Sequence, residues 1–125
     1  MTKKIVVTPY HADWPKNFEA EASKIKEVLG SNCLAIHHIG STSIPGLSAK
    51  PVIDMIGVIK NRKDVIQHLE SIGFKYKGEY NIPMRLYFNR SEGVEINLHI
   101  YEEGHPEIEL NILFRDYLRN HPEAR

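Results

Sequence analysis

The chain has 125 residues, a length that fits one domain whose hydrophobic core needs no disulfide or metal for support. Its 16 basic and 16 acidic residues balance, which disfavours a general nucleic-acid-binding surface, because such a surface needs an excess of basic side chains. A single cysteine, no signal-peptide pattern at the amino terminus and no long apolar run lead us to expect a cytoplasmic protein without membrane contact.

The first third of the chain predicts a short extended segment, a helix and a strand. Residues 5–7 indicate the extended segment. The helix is expected to begin at Asp13, which can act as its N-cap, and to end at Gly30. Residues 33–39 then indicate a strand. The apolar residues of the helix recur at helical spacing, and they are Phe18, Ala22, Ile25 and Leu29.

The middle of the chain predicts a buried strand, a second helix and a hairpin. Residues 52–59 form a strongly apolar run, which is typical of a central strand buried on both faces. Asn61 can cap a helix that ends at Gly73. Residues 85–89 and 94–101 are predicted to pair as a hairpin. The second strand alternates, with one face made of Val94, Ile96, Leu98 and Ile100 and the other of Glu95, Asn97, His99 and Tyr101.

The last predicted element is a helix that begins at Pro106. Its apolar side is expected to carry Leu110, Leu113, Phe114, Tyr117 and Leu118. The order of all these elements predicts an α+β fold, in which a mixed β-sheet has its helices packed on one side. We expect residues 1–125 to form one domain.

Asp54 is the exception within the apolar strand. An ionised carboxylate in such surroundings is costly unless a metal ion, a cationic side chain or backbone donors compensate it. A structural ion pair within the fold is one interpretation, and a functional site is the other.

The turn at Gly40, Ser41 and Thr42 comes directly after one strand and before the strand of Asp54. Small hydroxyl residues and exposed backbone N–H groups in a tight turn suit phosphate oxygens, although most such turns only reverse the chain. If the two strands are neighbours, hydrogen-bond donors for phosphate and a carboxylate meet at one edge of the sheet. A divalent metal between them would complete a nucleotide-phosphate site.

Further polar residues could join this site. Lys50 and Arg85 are candidate phosphate partners, with surface charge as the alternative. His99 could be a metal ligand or an acid–base group. His38 could face the site as a metal ligand, but a buried structural histidine is an equal alternative. The face of Glu95 and Asn97 could instead be merely solvated.

The stretch from His38 to Asp54 closely resembles the signature of the GrpB-like family, which is classed with predicted nucleotidyltransferases of the DNA polymerase β type. The resemblance covers nearly the whole chain. It continues in Pro9-Tyr10, Asp13-Trp14-Pro15, Leu98-His99-Ile100, Phe114-Arg115-Asp116-Tyr117-Leu118-Arg119 and His121-Pro122. Family members continue with further helix beyond this point, so we expect the chain to lack the family's C-terminal helix.

This resemblance implies a nucleotidyltransferase-like fold, a nucleotide as the small-molecule partner and Mg²⁺ as cofactor. In that superfamily a Gly-Ser turn holds the triphosphate, and three carboxylates on two strands bind two divalent metals. Gly40-Ser41 and Asp54 match this pattern. The second carboxylate position is Ile56, which cannot bind a metal, and the third could be Glu95 or His99.

Three functions remain open on this basis. The first is transfer of a nucleotidyl group from a nucleoside triphosphate to an unknown acceptor. Ser41 and Thr42 would then hold phosphate, Asp54 would bind Mg²⁺, and His99 would be a ligand or general base. The second, which Ile56 favours, is a non-catalytic accessory domain that binds a nucleotide or another phosphorylated metabolite. The third is a protein-interaction domain with a decayed site.

Overall fold

A computed structural model of the chain describes residues 6–125, so residue 5 of the predicted extended segment lies outside the described residues. Five strands form one sheet in the order β1-β2-β5-β4-β3. The strands are β1 (Cys33–Ile39), β2 (Val52–Ile59), β3 (Lys75–Tyr76), β4 (Leu86–Arg90) and β5 (Glu95–Glu102). The helices are α1 (Asp13–Leu29), α2 (Val65–Glu70) and α3 (Pro106–Asn120).

The two central strands of the sheet set the register of the candidate site. β2 and β5 are parallel, and the remaining neighbours are antiparallel, so the sheet is mixed as predicted. Asp54 of β2 lies opposite Ile39 of β1 and opposite Asn97 of β5. Because directly paired residues point to the same face, these three side chains share one face of the sheet.

The other face of the sheet carries the main hydrophobic core. Here α1 and α2 cover the strands, and the apolar stripe of α1 is buried as its helical spacing predicts. Burying each large apolar side chain contributes about 1.5–3 kcal/mol, so this face supplies most of the stability. Its fully buried members include Ile25, Ile53, Met55, Ile59, Val65, Leu69, Phe88, Ile96, Leu98 and Ile100.

The last helix is placed differently from α1 and α2. It lies over the opposite face, where its Ile108 packs against a small cluster that contains Ile39, Ile56 and Tyr101. The side of α3 that turns toward the sheet is partly polar, because it carries Asn111 and Arg115. Of the five residues predicted for its apolar side, Leu118 is half-buried, and four are more than half exposed: Leu110, Leu113, Phe114 and Tyr117.

The α+β class and the mixed sheet are therefore confirmed, and the one-sided packing holds for α1 and α2. Two predicted N-caps are wrong. Ala12 is the N-cap of α1 in place of Asp13. The second helix begins only at Val65, because the Asn61 side chain accepts a hydrogen bond from the Lys63 N–H in a preceding turn. Within residues 6–125, no helix combines the length and apolar character that crossing a membrane requires.

Candidate functional site

Asp54 stands at the edge of a cavity of about 300 Å³ that lies between the sheet and α3. Its side chain is 30% exposed, so the carboxylate reaches the cavity while its backbone stays inside the sheet. Gly40 lies directly against it. A Cβ atom at position 40 would be 2.7 Å from Asp54 Oδ2, and the Gly40 φ of 72° and ψ of −175° belong to a region that glycine alone occupies readily. The glycine is required by the approach of the carboxylate.

The turn after Gly40 offers Ser41 to the cavity and keeps Thr42 out of it. Ser41 is exposed and lines the cavity beside Asp54. Thr42 is 1% exposed, and its hydroxyl donates to the carbonyl of Val52 at 3.0 Å and lies 3.0 Å from His38 Nε2. The prediction that Thr42 binds phosphate is corrected, because its hydroxyl joins the turn to β2 instead.

His38 points away from Asp54. Its pairing partner in β2 is Met55, so it lies on the face covered by α1, where its ring stacks on Phe18 at 4.9 Å. Burial is the main cause that lowers the pKa of His38 to about 4, and the nearby Arg119 lowers it further. The predicted metal-ligand role is corrected: His38 is the buried structural histidine of the alternative interpretation, because its neighbour Ile39 takes the face of Asp54.

His99 does lie beside Asp54, with 3.6 Å between Nε2 and Oδ1. Its other ring nitrogen, Nδ1, is 3.2 Å from Nη1 of Arg85. A guanidinium group can only donate, so Nδ1 accepts this hydrogen bond and the neutral ring carries its proton on Nε2. That N–H points toward the Asp54 carboxylate at a distance longer than a hydrogen bond. In this tautomer Nε2 holds a proton and Nδ1 is bonded to Arg85, so a metal or a further proton could bind at His99 only if the contact with Arg85 were broken.

Arg85 is 7% exposed and serves the fold. It donates to the carbonyl of Glu79 at 3.0 Å and to the carbonyl of Tyr80 at 2.7 Å, and its guanidinium lies over the Tyr87 ring at 4.8 Å. Its predicted role as a phosphate partner is corrected, because it is buried, it does not line the cavity beside Asp54, and three of its five N–H donors already bond to Glu79, Tyr80 and His99. Lys50 is exposed, as predicted for a free charge, but it lines a second cavity and not the one beside Asp54.

The residues present do not fit a two-metal centre. Ile56, at the second carboxylate position, is fully buried and packs with Tyr101. Among residues 6–125 there is no group of three or more His, Cys, Asp or Glu side chains that could hold a metal ion. A single Mg²⁺ does fit, because Mg²⁺ is commonly held by one carboxylate together with substrate phosphates. Asp54 is the residue that would hold it.

The sequence interpretation missed the contribution of α3. Arg115 lines the cavity together with Asn111, and its Nη1 donates to the His38 carbonyl at 3.1 Å. One turn later, Arg119 Nε donates to the Ser43 carbonyl at 3.0 Å. The signal was two arginines four residues apart in the final-helix motif, a spacing that puts both on one side of a helix. These arginines fasten α3 to the end of β1 and to the turn that carries Ser41.

Comparison with known proteins identifies relatives along almost the whole chain. The family described as GrpB protein matches residues 4–125. The UPF0157 protein YqkA of Bacillus subtilis is 42% identical over 124 residues, which are 96% of this chain and 36% of that protein. The crystal structure of conserved protein GrpB from Enterococcus faecalis superimposes with a TM-score of 0.87 at 38% identity, covering 94% of this chain and 74% of that one.

Two further proteins are similar to this chain at lower sequence identity. The structure of Cid1 in complex with the UTP analogue UMPNPP has a TM-score of 0.59 at 12% identity, over 90% of this chain and 37% of that one, which establishes a shared fold. A protein named dephospho-CoA kinase, from Mycolicibacterium paratuberculosis, is 22% identical over 95% of this chain and 36% of its own length. The chain spans between 36% and 65% of the lengths of four curated relatives.

Replacing Gly40 by alanine tests the close approach to Asp54. Gly40→Ala is expected to lower the free energy of unfolding by about 1–3 kcal/mol from backbone strain, and by a further amount because its Cβ displaces the carboxylate. Gly30→Ala is the matched control, since Gly30 has a φ of 60° and a Cβ added there would meet nothing within 4 Å. Urea unfolding of both variants checks this, and equal losses would contradict the steric requirement at position 40.

The buried state of His38 predicts a pH dependence of stability. Its pKa is about 4 in the folded chain and 6.5 when unperturbed, so the unfolded chain binds the proton more readily between these values. Stability is therefore expected to fall by up to about 1.4 kcal/mol per pH unit as the pH decreases from 6.5 to 4. Urea unfolding measured at several pH values in this range should show that the free energy of unfolding changes less with pH in His38→Gln. This variant keeps a hydrogen-bond donor for Thr42. The same pH dependence in the variant and the wild type would refute the assignment of this effect to His38.

Proposed function

The chain belongs to the GrpB family, and we propose that it binds a nucleoside triphosphate with one Mg²⁺ in the cavity between Ser41 and Asp54, as the nucleotide-binding part of a nucleotidyltransferase. The observation that carries this proposal is the contact between Gly40 and the Asp54 carboxylate. It brings a Gly-Ser turn and a solvent-accessible carboxylate to one wall of a cavity. Groups that donate hydrogen bonds to phosphate oxygens and a ligand for Mg²⁺ are the two components that a triphosphate-binding site needs.

Three groups of the chain would receive the triphosphate. Ser41 contributes its exposed hydroxyl. The backbone bonds of the turn are donated by Ser43 and Ile44, so the N–H groups of Ser41 and Thr42 are not used in them. Arg115 lines the cavity from the side of α3, where its guanidinium is paired with Asp116 at 3.0 Å and would exchange that carboxylate for a phosphate oxygen. Such charge-assisted contacts are stronger than neutral hydrogen bonds, and a bound Mg²⁺ would further neutralise the phosphate oxygens.

The neutral His99 ring positions Asp54. Its Nε2–H faces Oδ1, and Arg85 fixes that tautomer through Nδ1. In nucleotidyl transfer, the acceptor hydroxyl oxygen would form a bond to the α-phosphorus while the bond from that phosphorus to pyrophosphate breaks. The hydroxyl proton would leave to water, because Nδ1 of His99 accepts from Arg85 and Nε2 already carries the ring proton. The fold shared with Cid1, whose structure contains a UTP analogue, supports a nucleotide as the donor.

A second candidate is a non-catalytic domain that binds the same ligand. The buried Ile56 favours it, because one carboxylate replaces the usual three. The likeness to about a third of a protein named dephospho-CoA kinase also favours it, since a chain of this kind then occurs within a longer enzyme. Release of pyrophosphate from ATP by the wild-type protein, lost in Asp54→Asn, would exclude this candidate.

Calorimetry with ATP and Mg²⁺ tests the binding that both candidates share. Asp54→Asn is expected to weaken binding at least tenfold, about 1.4 kcal/mol, because the amide is a poor Mg²⁺ ligand. Glu95→Gln removes the same charge from the same sheet face outside this cavity, and its affinity should stay within twofold of the wild type. Absence of ATP binding by the wild type, or equal losses in the two variants, would count against the proposal.

A further inference from the structure

A second cavity, of about 360 Å³, lies on the same face of the sheet as Asp54. Asn97 lies beside Asp54 in the pairing of β2 with β5, and Asn89 lies beside Asn97 in the pairing of β4 with β5. Both asparagines line the second cavity, whereas Asp54 lines the first. The two cavities share no lining residue, and they adjoin across the Asp54–Asn97 pair.

The second cavity has an excess of positive charge. Lys50 and Lys77 line it, both are exposed, and neither has a carboxylate partner within 4 Å among the described residues. Lys77 is held beside β4 because its N–H donates to the Tyr87 carbonyl at 2.7 Å. Glu95 is the carboxylate of the lining, and its Oε2 is 3.4 Å from the Asn89 amide nitrogen. Because the lining has two lysines and only one such carboxylate, it favours the binding of an anion such as a phosphate group.

The floor of this cavity suits hydroxyl groups. Asn89 Nδ2 donates to Asn97 Oδ1 at 2.8 Å, and Ser91 donates to Asn89 Oδ1 at 3.0 Å. These bonds fix both amides and use the Asn97 oxygen. The Asn97 Nδ2 group donates to no side chain or carbonyl within residues 6–125, so it is an open donor in the lining of the cavity. An open amide donor next to a carboxylate is a pair that recognises an alcohol.

Two tyrosines form an aromatic wall. The Tyr87 ring is held rigidly, because it stacks with His99 at 5.1 Å and lies under Arg85. Tyr80 is 67% exposed, and its ring lies 5.6 Å from the Tyr87 ring, while Arg85 binds its carbonyl. The Tyr80 backbone is thus fixed at a φ of 52° and its ring is free to contact a ligand. A sugar or base ring is the kind of group that packs on such a surface.

We propose that the second cavity binds a small phosphorylated compound with free hydroxyl groups, whose phosphate lies between Lys50 and Lys77 and whose hydroxyl end lies at Asn97. The volume suits a ligand the size of a sugar phosphate or a nucleoside monophosphate. The hydroxyl end lies next to Asp54, so this compound is the acceptor for nucleotidyl transfer, an identification that rests on the proposed function. Binding in the cavity does not depend on that identification.

Titration of the ¹⁵N-labelled chain with ribose 5-phosphate, ribose and inorganic phosphate tests the site by NMR. Ribose 5-phosphate is expected to shift the side-chain amide signals of Asn89 and Asn97, and to bind more tightly than either fragment. Reversing both charges in Lys50→Glu/Lys77→Glu should weaken its binding at least tenfold. Lys16→Glu is the matched control, because Lys16 is an exposed lysine of α1 on the other side of the sheet, and it should bind within twofold of the wild type.

The result that would overturn the inference is unchanged asparagine signals, or equal affinity of the double variant and the wild type. A comparison with UMP identifies the ligand within the class. If UMP binds more tightly than ribose 5-phosphate and Tyr80→Ala removes this difference in affinity, the ligand is a nucleotide. If the two compounds bind equally, the ligand is a sugar phosphate. ATP with Mg²⁺ is titrated in parallel. If ATP with Mg²⁺ shifts the Ser41 signal but ribose 5-phosphate leaves the Asn97 signal unchanged, only this inference is refuted. If ribose 5-phosphate shifts the Asn97 signal but ATP with Mg²⁺ leaves the Ser41 signal unchanged, only the proposed function is refuted.

Discussion

The arrangement of the site depends on the contact between Gly40 and the Asp54 carboxylate. A carboxylate in an apolar strand must be held where water or a cation can reach it, since burial without a partner costs several kcal/mol. The end of β1 approaches Asp54 so closely that position 40 has no room for a side chain. On the other side, His99 directs its N–H toward the same group, and Arg85 fixes the orientation of that ring. Asp54 is thus oriented from both neighbouring strands and open toward the cavity.

The pairing of β2 with β5 explains why two cavities meet at one residue pair. Asp54 ends the first cavity, and its neighbour Asn97 begins the second. A transferase must bring a donor and an acceptor together, and holding both at defined positions accounts for much of its rate enhancement. The fully buried Ile56 limits the metal chemistry available at this junction. Positioning by the sheet is therefore the main contribution that this chain can make to the proposed reaction.

Much of the fold could be predicted because its signals are local. The stripe of α1 and the apolar run of β2 each carry a clear pattern, and the structure has both elements where that pattern places them. The two-residue strand β3 is too short to leave a period in the sequence. The packing side of α3 could not be predicted from its apolar residues, because most of them are exposed and the side toward the sheet carries Asn111 and Arg115. The His38 carbonyl that Arg115 binds is distant along the chain.

The site was predictable in position and less so in the role of each residue. Gly40, Ser41 and Asp54 come together because they flank one strand pairing, and His99 joins them through the neighbouring strand. The roles of Thr42, His38 and Arg85 depend on hydrogen-bond partners that the sequence does not reveal. A crystal structure of the chain with ATP and Mg²⁺ would test the proposed site at the level of individual atoms. We expect phosphate oxygens at the Ser41 turn and a cation on Asp54, and ATP bound elsewhere with no cation on Asp54 would contradict the proposal.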